Sequence, residues 1–247
     1  MKPSENICIL MPTYNNGGTL HDVVSRVLSQ SADLIVVNDG CTDNSAEILA
    51  SFGDSITVVD YGRNRGKGYA LKQGFRKAKQ MGYDYAITID SDGQHFPEDI
   101  PLFREAIAQH PGALIVGSRN LKQENMPGKN SFANKFSNFW FRIQTGLNLP
   151  DTQTGYRLYP LKRLPHIFSA RYEAELSLLV FSAWRGTKLV PIKVNVYYPK
   201  AEERVTHFRP FWDFFRISVL NTILCLVALV YGWPSILIHK LFGRRGT

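Results

Sequence analysis

The chain has 247 residues, 44% of them hydrophobic and 20% charged, with only 19 Gly and 13 Pro. That balance excludes fibrous, collagen-like and disordered classes and fits one large α/β domain or one domain plus an appendage. Lys and Arg number 29 against 21 Asp and Glu, a net charge of +8, so anionic partners are favoured: phosphorylated substrates, acidic lipid head groups or nucleic acid. Cys8, Cys41 and Cys225 are odd in number and far apart, which matches neither a disulfide framework nor a zinc spacing and points to a reducing compartment.

The first apolar run, residues 7–11, stops at Pro12 and is too short for a signal-peptide core, so the main domain is expected to stay in the cytosol. From there to residue 117 short apolar runs alternate with helix-like stretches, the pattern of βα units that build a mostly parallel sheet. Strands are predicted at residues 7–11, 34–38, 56–60, 85–90 and 114–118, with helices at 19–30, 44–52, 68–81 and 98–109 between them. Thr42 or Asp43 can cap the second helix, and Pro97 stands where the fourth begins, where a missing N–H costs little. Residues 130–146 read as an aromatic-rich helix whose Phe132, Phe136, Phe139, Trp140 and Ile143 pack into the core. A further helix is predicted at 172–184 and an extended stretch at 189–198.

Composition changes at Phe208. FRPFWDFFRI sets bulky aromatics beside Arg209 and Arg216, as interfacial helices do, and residues 217–238 then carry no charge before His239, Lys240, Arg244 and Arg245. As a helix those 22 residues reach about 33 Å, near the ~30 Å of bilayer hydrocarbon. Asn221, Gly232 and Pro234 interrupt the segment, and basic residues flank both ends, so two readings stand: a span, or a shallow insertion that turns at Pro234 and keeps both ends on one side. Residues 1–203 form the catalytic domain in this reading, and 204–247 the membrane-associated helical part.

Ligands of open α/β sheets sit beyond the carboxyl ends of the strands. Four such loops carry chemistry here: Pro12-Thr13-Tyr14-Asn15, the Asp39 to Asp43 stretch of NDGCTDNS, the basic Gly-rich run Arg63-Asn64-Arg65-Gly66-Lys67-Gly68, and Asp90-Ser91-Asp92. A period of two puts Asp90 and Asp92 on the same side of a strand end, a pair suited to Mg²⁺ or Mn²⁺, which take carboxylates together with phosphate oxygens. Glycines let backbone approach a diphosphate, and Arg and Lys offset its charge. Together these loops describe a site for a nucleotide diphosphate and its cation. No G-x-G-x-x-G opens the first helix and no G-x-x-x-x-G-K-[ST] occurs, which excludes dehydrogenase and P-loop readings. No nucleic-acid recognition module appears either, and no nucleic-acid partner is expected.

The order MPTYNN, VVNDGCTDNS, NRGKGYAL, DSDGQHFP, DTQTGYRLY and YEAEL resembles family 2 glycosyltransferases with the GT-A fold, particularly those similar to dolichyl-phosphate mannose synthases and related polyprenyl-phosphate glycosyltransferases. The resemblance spans roughly residues 5–200 and implies a GT-A Rossmann-like, mostly parallel sheet flanked by helices. It implies inverting transfer of a sugar from a UDP- or GDP-sugar to a lipid-linked acceptor, polyprenyl phosphate first. By motif, Pro12, Thr13 and Tyr14 would line the nucleotide, Asp39 would contact the base, and Arg65 and Lys67 would lie near nucleotide or phosphate. Asp90 would hold the ribose side or the metal, Asp92 the metal, and Gln94 would border the sugar or acceptor. Tyr156 and Arg157 would sit at the acceptor, with Asp151 and Glu173 as nearby carboxylates. Gln153-Thr154 and the stretch from Arg204 to Arg209 depart from the family pattern, which leaves the acceptor open between two chemistries. A phosphate monoester is largely ionised at neutral pH and needs positioning cations, for which Arg157, Arg204 and Arg209 are candidates. A lipid or glycan hydroxyl needs a base, for which Asp151 or Glu173 would serve. A non-catalytic nucleotide-sugar-binding membrane subunit is the remaining alternative.

Overall fold

A computed structural model describes residues 6–119, 128–197 and 210–242. Seven strands form one sheet: β1 (Ile7–Thr13), β2 (Leu34–Asn38), β3 (Thr57–Asp60), β4 (Tyr85–Thr88), β5 (Leu114–Arg119), β6 (Arg157–Pro160) and β7 (Leu189–Val194), in the spatial order β3-β2-β1-β4-β6-β5-β7. The first four pair in parallel, as do β5 and β7; β6 runs antiparallel to both its neighbours, β4 and β5. Each residue of β1 is buried, so its alternating side chains feed two cores. Ile7, Ile9 and Met11 face α1 (Gly17–Gln30), α2 (Ser45–Ser51) and α4 (Ile100–Gln109), while Cys8 and Leu10 face α3 (Lys67–Gln80) and α6 (Glu173–Trp184).

The second core continues outward. The helix α5 (Gly128–Thr145) supplies Phe141 to it, and α7 (Pro210–Val227) supplies Leu224. A π-helical turn, Ala228–Gly232, joins α7 to α8 (Trp233–Phe242). The C-terminal segment therefore does not turn back at Pro234: that residue lies in the first turn of α8, where its missing N–H costs little. Two further differences concern the site. The fourth strand ends at Thr88, before the acid pair, and β6 is a strand that the four residues RLYP give no periodicity to announce.

Because β6 runs against β4, its first residue Arg157 stands beside Thr88, at the edge where the parallel strands end. The DTQTGYR run thereby arrives at the same edge as DSDGQH.

Candidate active site at the carboxyl edge of the sheet

Pro12 and Thr13 are buried at the end of β1, and Tyr14 begins the turn that follows. Ser91 fastens the neighbouring acid loop to this turn: its hydroxyl lies 3.3 Å from the Pro12 carbonyl and 3.1 Å from Thr13 Oγ1, and accepts from Asn16 Nδ2 at 2.8 Å. Asp90 and Asp92 thus flank an anchored serine in a turn and are not alternating residues of a strand.

Asp39 follows β2 and is buried. Its Oδ1 accepts from the Tyr61 hydroxyl at 2.6 Å and the Arg65 backbone N–H at 2.7 Å, and its Oδ2 accepts from Gly66 N–H at 2.8 Å. One carboxylate therefore shapes the basic loop. Arg65 itself is exposed, with its guanidinium carbon 4.8 Å from the Tyr69 ring centre and Nη1 donating to the Tyr69 hydroxyl.

Gly66, at a positive φ of 93°, turns the chain into α3, so Lys67 opens that helix and points across the edge. Its Nζ lies 2.7 Å from Asp90 Oδ1 and 3.0 Å from Glu175 Oε2. A Cβ at Gly155 would lie 2.8 Å from Asp90 Oδ2, 3.0 Å from Lys67 Nζ and 3.1 Å from Glu175 Oε1, so only glycine lets these three charges converge. Glu175, not Glu173, faces Lys67. The acid of YEAEL that meets Lys67 is thus not the one named from sequence; its signal is that Glu175 shares a helix face with the buried Leu178 and Leu179. Both carboxylates pull the Lys67 ammonium further into its charged form, against the cost of burial.

Asp92 has the opposite electrostatics. Burial first, and the Asp90 charge second, push its carboxyl up to about 6, while Gln94 N–H on Oδ1 at 3.0 Å partly offsets this. An acid held so close to its charge limit beside a second acid suits a divalent cation, because Asp90 and Asp92 supply hard oxygen ligands and a diphosphate supplies others. The donor chemistry fits, although among the described residues no three His, Cys, Asp or Glu side chains gather in a metal-sized cage. Gln94 also accepts from Tyr197 N–H through its carbonyl at 2.8 Å.

The acceptor-side residues of the sequence analysis are drawn into the protein. Tyr156 is fully buried, its hydroxyl donating to the Phe96 carbonyl at 3.1 Å and its ring 4.5 Å from that of Phe103. Arg157 is also fully buried and donates to the Glu175 carbonyl at 2.6 Å, the Thr152 carbonyl at 2.9 Å and the Tyr159 hydroxyl at 3.1 Å. It braces the start of α6 and so positions Glu175. Asp151 is fully buried in a two-point pair with Arg119, Nε to Oδ2 at 2.6 Å and Nη2 to Oδ1 at 3.0 Å. Arg119 belongs to no motif and was missed. Glu173 opens α6, half-buried. Arg204 and Arg209 lie outside the described residues.

A mostly parallel sheet that gathers paired acids, a lysine and a glycine-rich basic loop at one edge defines a glycosyltransferase of the GT-A type. The family model described as glycosyl transferase family 2 matches residues 8–164, and the chain belongs to that family. It is 28% identical over 241 residues to a UDP-N-acetylglucosamine–dolichyl-phosphate N-acetylglucosaminyltransferase of Methanococcus voltae, covering 87% of this chain and 96% of the relative. It is 29% identical over 202 residues to an undecaprenyl-phosphate mannosyltransferase of Micrococcus luteus, covering 76% of this chain and 82% of that one. Among solved structures, glucosyl-3-phosphoglycerate synthase of Mycobacterium tuberculosis, in complex with Mn²⁺, UDP and glucosyl-3-phosphoglycerate, superposes with a TM-score of 0.65 at 19% identity, over 92% of this chain and 81% of that one.

Proposed function

We propose that the chain transfers a sugar, with inversion, from a UDP- or GDP-sugar to a lipid-linked acceptor, polyprenyl phosphate first, at the cytoplasmic face of a membrane. The observation that carries the donor half is the convergence of Lys67, Asp90 and Asp92 beside the loop that Asp39 shapes. As the glycosidic bond breaks, the leaving diphosphate gains charge. Lys67 and Arg65 are cations available to it, and a preorganised cation is worth most where burial lowers the local dielectric. Mg²⁺ or Mn²⁺, held by Asp90 and Asp92, would supply further charge stabilisation there.

The acceptor half rests on which carboxylates are free to take a proton. Asp151, the first candidate base for a hydroxyl acceptor, is sealed and committed to Arg119, and Glu175 is committed to Lys67, which leaves Glu173, half-buried at the start of α6, as the remaining candidate. A phosphate acceptor needs no base, and relatives named for dolichyl and undecaprenyl phosphate favour it. The retained acid pair disfavours a non-catalytic subunit.

The membrane half rests on the C-terminal helices. The segment Phe215–Leu241 has a mean hydropathy of 1.8, and only 22% of its most apolar window is buried. Ile223, Leu226, Leu229, Val230 and Leu237 are exposed on it, as are Phe139, Ile143 and Leu147 on or just after α5. Arg142, Arg216 and Lys240 are exposed nearby, positioned for acidic head groups. The opposite face is fastened along its length. Gln144 Nε2 donates to Asn221 Oδ1 at 3.0 Å, Gly232 lies against Trp184, and Ser235 Oγ donates to the Trp184 carbonyl at 2.6 Å. A helix so fastened could cross a bilayer only by dragging α5 and α6 into it with their buried Asn134, Ser137 and Glu175. Insertion parallel to the surface, into one leaflet, is the reading this supports.

The test is mass spectrometry of products after incubation with Mn²⁺, a panel of UDP- and GDP-sugars and polyprenyl phosphate in vesicles. A glycosyl phosphopolyprenol is the expected product; transfer to a hydroxyl, or donor binding without turnover, overturns the reading.

A further inference from the structure

Lys67 does something at this site that a simple phosphate-binding lysine need not do. Its ammonium sits on Asp90 Oδ1 at 2.7 Å, on one of the two carboxylates that suit the divalent cation. Glu175 holds the same ammonium from the other side at 3.0 Å, and the missing side chain at Gly155 leaves nothing between the three groups. All three are largely withdrawn from solvent, with side-chain exposures of 17% for Lys67, 26% for Asp90 and 11% for Glu175, so their interactions are weakly screened. Building on the donor-site reading above, we propose that Lys67 is a resident counter-ion that blocks divalent-cation binding at Asp90 until a nucleotide diphosphate arrives, with Glu175 as the group that holds it ready.

Without a nucleotide, a divalent cation on Asp90 and Asp92 would lie next to a fixed ammonium already using one of those oxygens, and two cations would compete for a single carboxylate. A diphosphate brings new anionic oxygens to the same edge, so the ammonium and the metal can both be satisfied. Metal and nucleotide then bind as a coupled pair, and linkage makes the coupling reciprocal. Glu175 keeps Lys67 from pairing with Asp90 alone, which would make the block too tight to release. The consequence for function is that the acid pair does not take up metal idly, and a loaded metal marks a loaded donor.

The test measures Mn²⁺ binding by loss of the free-ion paramagnetic resonance signal, without nucleotide and with UDP or GDP, whichever the native protein binds, on the full-length protein. The informative variant is the double substitution Lys67→Met with Glu175→Gln. The native site carries three carboxylates and one ammonium, Asp90, Asp92 and Glu175 against Lys67, a formal balance of −2; the double variant carries Asp90 and Asp92 alone, again −2. Any gain in metal affinity therefore reports the removed competitor and not a change of net charge. Mn²⁺ affinity without nucleotide is expected to rise at least about tenfold, and the enhancement by nucleotide to shrink by a similar factor. Lys67→Gln with Glu175→Gln keeps the same formal balance of −2, should move both quantities in the same direction, and serves if the first double variant does not fold. Unchanged affinity without nucleotide in a folded variant overturns the proposal. Native protein that takes up no Mn²⁺ with either UDP or GDP overturns the donor-site reading itself, a different result from Mn²⁺ that binds the native chain equally well with and without nucleotide, which overturns only the block.

Discussion

The edge of the sheet and the C-terminal helix pair solve opposite problems with similar amounts of chain. At the edge, charges that water would normally solvate are taken into the protein and matched one to another: Asp39 to backbone N–H groups, Lys67 to two acids, Asp151 to Arg119. Along α7, α8 and the π-helical turn between them, apolar side chains that the core would normally take up are left outside, with Leu229 at 70% and Val230 at 79% exposure in that turn. The first region is costly to disturb because an orphaned charge has nowhere to go. The second is cheap to alter on its outer face and costly on its inner one, since only the inner face is packed.

Substitutions can push on that contrast from either side. The largest effect should come from Asp92→Asn, which would remove one proposed cation ligand without changing shape: transfer should fall by about a thousandfold or more while the melting temperature is kept. A variant that retains native turnover breaks the link between the acid pair and the reaction. Next is the inner face of the helix pair. Trp184 is fully buried, donates Nε1 to the Gln144 carbonyl at 2.8 Å, and has Gly232 against its ring. Trp184→Ala should cost about 3–5 kcal/mol in urea unfolding. A loss under about 1 kcal/mol would mean the helices are not docked as described.

Charging the outer face should do the reverse. Leu226→Glu with Leu229→Glu should leave urea stability within about 0.5 kcal/mol but weaken sedimentation with acidic vesicles by about a hundredfold, because two apolar side chains lose their insertion energy. Unaltered vesicle binding would detach this face from the membrane role.

The smallest effect is one of pH. Burial and Asp90 raise the Asp92 carboxyl from 3.8 to about 6, so in the absence of metal it is mostly charged at pH 7 and mostly protonated at pH 5. Proton and cation compete for the same oxygens, so lowering the pH weakens metal binding: Mn²⁺ affinity in the presence of UDP should fall about tenfold from pH 7 to pH 5. Asp92→Glu, if it relaxes toward solvent, should shift that midpoint down, and a flat profile in the native protein would show that Asp92 is not where the cation binds.

Much of the edge was legible in the residues alone. The apolar runs of β1, β2 and β4 fixed which loops meet, because parallel strands put all their carboxyl ends together. What stayed hidden were the partners. Asp151 meets Arg119 across 32 residues of chain, and no local period encodes that distance. Arg157 was placed at the acceptor by the resemblance of DTQTGYR to the family motif, and its burial follows only once β6 is known to lie between β4 and β5. The C-terminal part teaches the same lesson in reverse. Asn221, Gly232 and Pro234 read as flaws in a membrane-sized helix; two of them are its contact points, Asn221 with Gln144 and Gly232 with Trp184, and the third opens α8. A polar or small residue in an apolar stretch weakens a span and marks a docked face, and the sequence could not choose between these.

The reversed direction of β6 also bears on how such a catalyst can change its habits. The chain that carries the acid pair comes out of β4, whereas the stretch of residues 146–156 comes in from α5 and reaches the same corner from the opposite side. The two meet at Gly155, which lies against Asp90, Lys67 and Glu175, so the incoming stretch can be exchanged only if that glycine is kept. Grafting that incoming stretch between homologues is the direct way to ask whether a new recipient can be installed without rebuilding the machinery that activates the sugar.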